Sequence, residues 1–320
     1  MTPRFPLAVL PTPLVEAPRL SAALGCGPLL VKRDDLVGFG VAGNKARPLE
    51  HLVGAARLAG AQVLVTGGGP GSNFCAAAAL AARVAGMRCE IVLWGDPEGA
   101  PNVALARAAG ACVRPTGRSD REEVDALAAE RAAELTASGT PAVAVPRGGS
   151  TAVGALGFAD AAAELAAQLA GRRPSAVVLP VGSGGSVAGL LAGMAECGLD
   201  VPVVGVSVSR PPESVRASVL ALARECAALR GTVPPDPAQL RLVDARGPGF
   251  GRTTALEDER ARLALHTEGW LLDTTYGAEA FSAAVDLLLA HPPDPVLWWH
   301  TGGTVPAVAH IETAQRGTTP

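Results

Sequence analysis

The chain has 320 residues, 48% of them hydrophobic, with a formal net charge of -3 and a pI near 6. This length predicts two domains or one large α/β unit. The apolar content excludes disorder, and the mild acidity excludes a nucleic-acid or membrane-surface footprint.

Pro11-Thr12-Pro13-Leu14 reads as extended, because proline fixes its own φ and restricts the residue before it. Residues 19–24 read as a short helix stopped by Gly25, and 29–33 as a strand. A loop with Gly38, Gly40 and Gly43 leads into a helix from about Asn44 to Ala59, ended by Gly60. Further strands are predicted at 62–66, 88–94, 112–115, 142–145, 176–181, 201–207 and 296–299. Helices are predicted at 72–85, 102–109, 121–138, 150–169 with Ser150 as its cap, from the Gly182 loop to Cys197, and at 213–229. After a proline-rich loop at 233–237 the reading returns directly to helix at 256–268, then 277–290, with a last helix at the end. Regular alternation of this kind predicts an α/β fold with a mainly parallel sheet covered by helices on both faces. The joint Pro146-Arg147-Gly148-Gly149 is a candidate domain boundary.

Six cysteines without CxxC pairing read as reduced thiols of a cytoplasmic protein, and five histidines without clustered spacing predict no metal. Glycine and proline interrupt every apolar run before it reaches membrane-spanning length.

The chain holds only two lysines, Lys32 and Lys45, against 25 arginines. Lys45 is either a survivor at a helix start or an amine kept for chemistry arginine cannot perform, such as attack on a carbonyl. Three glycine-rich loops lie behind it. Gly182-Ser183-Gly184-Gly185-Ser186 follows a strand and opens a helix, a place where backbone N–H groups hold phosphate. Val187 departs from G-x-G-x-x-G, no Walker lysine follows, and the alternative is a plain tight turn. The Gly67–Gly71 loop ends in Ser72-Asn73-Phe74 and suits a second anion such as a carboxylate, although Ser72 or Asn73 also serves as a helix cap. In His300-Thr301-Gly302-Gly303-Thr304, Thr301 either bonds a heterocycle nitrogen or caps the last helix, and the motif alone favours the cap. Tyr276 is the only tyrosine: a proton donor, a ring against a cofactor or, on position alone, a loop aromatic. Asp34 and Asp35 charge the loop beside Lys32 and Arg33, and His51 reads as structural.

Taken in order, Gly43-Asn44-Lys45, Ser72-Asn73, Gly182 to Ser186 and His300-Thr301-Gly302-Gly303 resemble the pyridoxal-phosphate enzymes of the tryptophan synthase β fold. More narrowly, they resemble the 1-aminocyclopropane-1-carboxylate deaminase and D-cysteine desulfhydrase family. The match extends to Pro11–Leu14, Arg33–Leu36 and Thr267–Tyr276, and so covers essentially the whole chain.

The resemblance implies a large domain of 1–48 with 148–320, a small inserted domain of 49–147, and pyridoxal 5'-phosphate in the cleft between them. Lys45 would be the Schiff-base lysine and move the α-proton, and Asn73 would bond the 3-hydroxyl of the pyridine. Gly182, Ser183, Gly184, Gly185 and Ser186 would hold the phosphate. Ser72 would bind the substrate carboxylate and join proton transfers, Tyr276 would stand by the substrate, and Thr301 would face the pyridine nitrogen. A homodimer acting on a small amino acid by β-elimination, to an α-keto acid and ammonia, is the implied activity. Phe74, Phe250 and Gly277 depart from the family pattern. They weigh against cyclopropane ring opening and favour an apolar or bulkier β substituent. Racemisation, β-replacement, a non-catalytic binder and a nucleotide enzyme are the alternatives. Against the last, Val206-Ser207 stands where an acidic ribose ligand is expected.

Overall fold

The computed structural model describes residues 3–118, 120–292 and 294–317. The chain enters through strand β1 (Leu14–Glu16), helix α1 (Pro18–Leu24), closed by left-handed Gly25, and strand β2 (Leu29–Arg33). A 3-10 turn over Gly43–Lys45 leads into α2 (Ala46–Leu58). Next come β3 (Val63–Gly68), α3 (Asn73–Val84), β4 (Arg88–Leu93), α4 (Pro101–Ala108), β5 (Cys112–Pro115), α5 (Val124–Ala137) and β6 (Ala142–Val145). The rest is α6 (Ala152–Leu169), β7 (Ala176–Val181), α7 (Gly185–Glu196), β8 (Val203–Ser207), α8 (Pro212–Arg230) and β9 (Leu240–Asp244). It ends with α9 (Ala255–Glu268), α10 (Gly277–Leu289), β10 (Val296–His300) and α11 (Thr304–Gly317).

β3 to β6 make a four-stranded parallel sheet in the order β5-β4-β3-β6. The other six strands are ordered β1-β2-β10-β7-β8-β9, parallel throughout except β1, which runs antiparallel to β2. β10 shows why both faces are covered. Successive strand side chains point to opposite faces, so Leu297 and Trp299 pack with α6 and α7 while Val296 and Trp298 pack with α10. Both tryptophans are almost wholly buried, and burial of side chains this size contributes about 3 kcal/mol or more each. The smaller sheet divides likewise: Leu64, Ile91 and Leu93 face α2 and α3, while Val63, Val65 and Val92 face α5.

Three features differ from the sequence reading. β9 intervenes where the proline-rich loop was expected to lead straight to helix; Leu240 is its only buried residue, and it pairs only with β8. An edge strand, β1, which the sequence reading lacked, begins at Leu14, the last residue of the segment read as extended. Ser150 does not cap α6: Thr151 does, its Oγ1 accepting from the Gly154 N–H at 3.1 Å. His51 is structural as expected, its Nε2 lying 3.0 Å from Asp160 Oδ2 and tying α2 to α6. Among the described residues no helix is long and apolar enough to cross a membrane.

Candidate active site

Both sheets present their loops to one cleft of about 400 Å³. Ligand sites in parallel sheets lie beyond the carboxyl ends of the strands. Every site residue expected from the sequence lines this cleft: Lys45, Ser72, Asn73, Phe74, Gly182 to Ser186, Phe250, Tyr276 and Thr301.

Lys45 ends the 3-10 turn before α2. Its side chain is half-buried, and its amine takes no hydrogen bond or ion pair among the described residues. Burial pulls its pKa down to about 8, since desolvation disfavours the ammonium form. The turn is held from two sides. The Asn44 N–H donates to the Thr301 carbonyl at 2.9 Å, and Asn44 Nδ2 donates to Ser186 Oγ at 3.1 Å. A Cβ on Gly43 would overlap the Thr301 carbonyl, and Gly302 stands against Gly43 in turn. Both glycines have positive φ, at 54° and 102°, so no other residue fits this crossing without strain.

The other lysine has a different place. Lys32 is fully buried and donates to the Thr12 carbonyl at 2.7 Å, to Gln168 Oε1 at 2.6 Å and to Glu164. Arg47, the second residue of α2, grips Asp34 with two bonds of 2.8 Å and also reaches Glu164 at 3.0 and 3.1 Å. This buried network joins β2, α2 and α6 two residues beyond Lys45. Asp35 is held by Arg33.

At the second loop, Ser72 Oγ accepts from the Cys75 N–H at 3.2 Å, so it is both the cap of α3 and part of the cleft wall. Asn102 Nδ2 donates to the Gly71 carbonyl at 3.0 Å and to Asn73 Oδ1 at 2.9 Å. With its oxygen engaged, Asn73 keeps its N–H₂ for a ligand. Phe74 belongs to the core with Leu49 and Leu52, its ring also forming part of the wall.

The Gly182 loop opens α7, whose first N–H groups have no acceptor within the helix. Ser150 takes one of them: its Oγ accepts from the Gly185 N–H at 3.1 Å and donates to Ser183 Oγ at 2.6 Å. Thr301 does not cap α11, which begins at Thr304. His300 is buried and stacks on Trp298 at 4.7 Å, and burial pushes its pKa down to about 4.

Tyr276 precedes α10, and burial raises its phenol above the usual range. Its ring meets Phe250 edge-on at 6.2 Å. Asp273 organises this turn, accepting from the N–H groups of Thr275, Tyr276 and Gly277 at 2.9, 2.9 and 3.2 Å. Burial still pushes its pKa up to about 6. Gly303 lies so close that a Cβ there would strike the Asp273 carboxylate, which fixes the third loop against the tyrosine's turn.

Glu279, in the first turn of α10, is 3% exposed and one of its oxygens has no partner among the described residues. Burial, and then the nearby Asp273, push its pKa from 4.5 up to about 9. The folded chain therefore keeps a proton that the unfolded chain releases, and stability falls as pH climbs from about 4.5 to about 9. Glu279→Gln is expected to remove that fall, raising stability by about 4 kcal/mol at pH 7.5 and by almost nothing at pH 4. Urea melts at the two pH values measure this, and equal effects at both would refute it.

Asn44, Asn102, Ser150 and Asp273 were not assigned site roles from the sequence. A signal for two of them was present: of the chain's only three asparagines, Asn44 and Asn73 line the cleft and Asn102 braces Asn73.

An amine held beside a phosphate-type helix start defines a class, and the comparisons with known proteins agree. The chain belongs to the pyridoxal-phosphate dependent enzymes, whose family model matches residues 6–302. It is 33% identical over 317 residues to a D-cysteine desulfhydrase of Salmonella newport, covering 94% of each chain. The crystal structure of an ACC (1-aminocyclopropane-1-carboxylate) deaminase homologue superposes with a TM-score of 0.92 at 32% identity, covering 98% of this chain and 96% of that one. A fungal L-serine ammonia-lyase from Rhizomucor miehei shares the fold, with a TM-score of 0.71 at 21% identity, covering 98% of this chain and 99% of that one.

The fold is thus of the tryptophan synthase β type, the cofactor is pyridoxal phosphate, and the chain is a lyase or deaminase that uses it. The cleft fits that cofactor. It offers an unpaired amine, and its Gly148 and Gly185 sit where a Cβ would run into the Ser183 and Ser150 hydroxyls.

Proposed function

We propose that this enzyme eliminates a β substituent from a small amino acid, giving an α-keto acid and ammonia, a reading supported by its similarity to a protein named D-cysteine desulfhydrase. The observation that carries the reading is the unpaired, pKa-lowered Lys45 amine, in a cleft that also holds the Ser72 and Gly182 loops. When bound, pyridoxal phosphate supplies an electron sink that acidifies the amino acid's Cα–H.

The chain's own residues then have distinct tasks. Lys45 would hold the cofactor and, once freed by the substrate, would move the proton at Cα; burial draws its free amine down to about 8, which suits both directions of transfer. Ser72 and the helix-start N–H groups near it bind the substrate carboxylate. Asn73, its oxygen engaged by Asn102, would donate to the ring's 3-hydroxyl. Ser183 to Ser186, braced by Ser150, would hold the phosphate. Thr301 would serve the pyridine nitrogen, Tyr276 would act on the substrate, and Phe74 and Phe250 would shape its pocket.

The division into 1–48 with 148–320 and an inserted 49–147 is supported by the two sheets, and it places Ser72-Asn73 on one unit and Lys45 on the other. The protein acts as a cytoplasmic homodimer in this reading. Phe250 and Gly277 favour elimination over cyclopropane ring opening.

Adding pyridoxal phosphate to the purified protein is expected to give a yellow species, and D- and L-amino acids with β leaving groups are expected to release keto acid. A protein that stays colourless would refute the reading. One that colours yet turns over none of them would be a cofactor binder instead.

A further inference from the structure

Three guanidinium groups line the cleft in addition to Lys45: Arg121 before α5, Arg147 after β6 and Arg210 after β8. Arg147 is answered twice, by Asp125 at 2.9 Å and by Glu122 at 3.2 Å. Arg121 shares the mostly exposed Glu122 at 3.2 Å and otherwise reaches the Ser209 carbonyl at 3.3 Å. Its guanidinium also stands 6.0 Å from the centre of the Phe250 ring.

Arg210 has no carboxylate partner among the described residues. Its bond is from Nη2 to the Gly182 carbonyl, at 2.9 Å. One carbonyl leaves most of a guanidinium's five donors unused. Desolvation pulls the pKa of Arg210 down; Arg147 and Arg121 push it the same way, against the pull of Glu122. A half-buried cation with cationic neighbours and no carboxylate bonded to it directly is unfavourable unless a ligand anion completes it.

Arg210 bonds the loop at Gly182, its strand end. Gly182 is also where a Cβ would come within 3.1 Å of the Tyr276 ring. The opposite end of the loop already has Ser183, Ser186, Ser150 and the start of α7 for a phosphate. Arg210 thus holds the strand end of the loop, at the glycine that also faces Tyr276, and it lines the same cleft as Tyr276 and Phe250.

The geometry points to a substrate whose side chain ends in an anionic group, a carboxylate or an oxoanion, held by Arg210 with Arg121 beside it, in place of the apolar β substituent expected from Phe74 and Phe250 alone. This rests on the elimination reading and narrows it, making Arg210 a specificity residue. The chemistry balances without a further reactant. The Cα proton and the β group with its bonding pair leave the amino acid, and water then releases ammonium and the keto acid.

The test uses protein loaded with pyridoxal phosphate. O-phosphoserine and 3-sulfoalanine are compared with cysteine and 3-chloroalanine, in both D and L forms. An anionic compound is expected to have a kcat/KM at least about 10-fold above the neutral ones, with Kd values from the visible spectral change in the same order. Arg210→Gln should lower kcat/KM for the anionic compound by about 30-fold or more, mainly through KM. It should leave the neutral compounds within about 3-fold and cofactor affinity unchanged. Arg210→Lys should recover part of the loss, because it keeps the charge without the planar fork.

Equal use of anionic and neutral compounds, or equal losses for both in Arg210→Gln, overturns the inference while the enzyme reading stands. Loss of the cofactor from Arg210→Gln also overturns it, by assigning the arginine to the phosphate. A wild-type protein that stays colourless overturns both.

Discussion

Lys45→Ala is expected to lower keto-acid release by on the order of 10³-fold or more and to abolish the yellow colour formed with pyridoxal phosphate. Lys32, the only other lysine, cannot substitute, because its ammonium is fixed among Thr12, Glu164 and Gln168. The native amine should also show its depressed pKa directly. Only the neutral form attacks a carbonyl, so capture of added cofactor should accelerate as pH rises through about 8. An exposed lysine would continue to accelerate towards about 10.4. Stopped-flow absorbance on cofactor-free protein reads this profile. A variant that keeps colour and turnover would remove Lys45 from the chemistry.

Arg47→Met should be the most damaging single change for stability, costing about 3–5 kcal/mol. Arg47 is 1% exposed and Asp34 is fully buried. Methionine would fill much of the volume but leave the Asp34 carboxylate with the Thr12 hydroxyl alone from this network. Asp34→Leu should be harmful too, and the double variant should cost less than the two single losses added together, because the second change removes the charge left stranded by the first. Urea denaturation of the three variants tests this. A loss below about 1 kcal/mol for Arg47→Met would show that the network is dispensable.

Much of the fold could be read because its central strands are short apolar runs followed by glycine-rich turns, as in 176–181 before the Gly182 loop. β9 escaped because Leu-Arg-Leu-Val-Asp lies at the sheet edge, where one buried leucine is all the pattern must provide. The glycine loops were visible for the same reason they work: backbone can approach backbone only where side chains are small. What holds those loops was not visible. Asn102 reaches back 29 residues to Asn73, and Arg47 reaches forward 117 to Glu164, and no local pattern encodes such partners. Ser150 was misread because a serine before a helix is ordinarily its cap; here Thr151 takes that position and frees Ser150 for the Gly182 loop.

β10 lies between β2 and β7, with Trp298 paired to Val31 on one side and to Val178 on the other. During synthesis, then, β2 emerges early and must wait for almost the whole chain before its inner edge is covered. Pairings between such distant segments form slowly, because a long loop must close before any contact rewards it. The smaller sheet has all four strands within 63–145 and needs no such delay. It can condense on the ribosome while β2 is still exposed, a state in which unpaired edges invite association with other chains. The Thr301 carbonyl that anchors the lysine turn arrives with β10. The turn that carries Lys45 is therefore anchored only when β10 docks against β2.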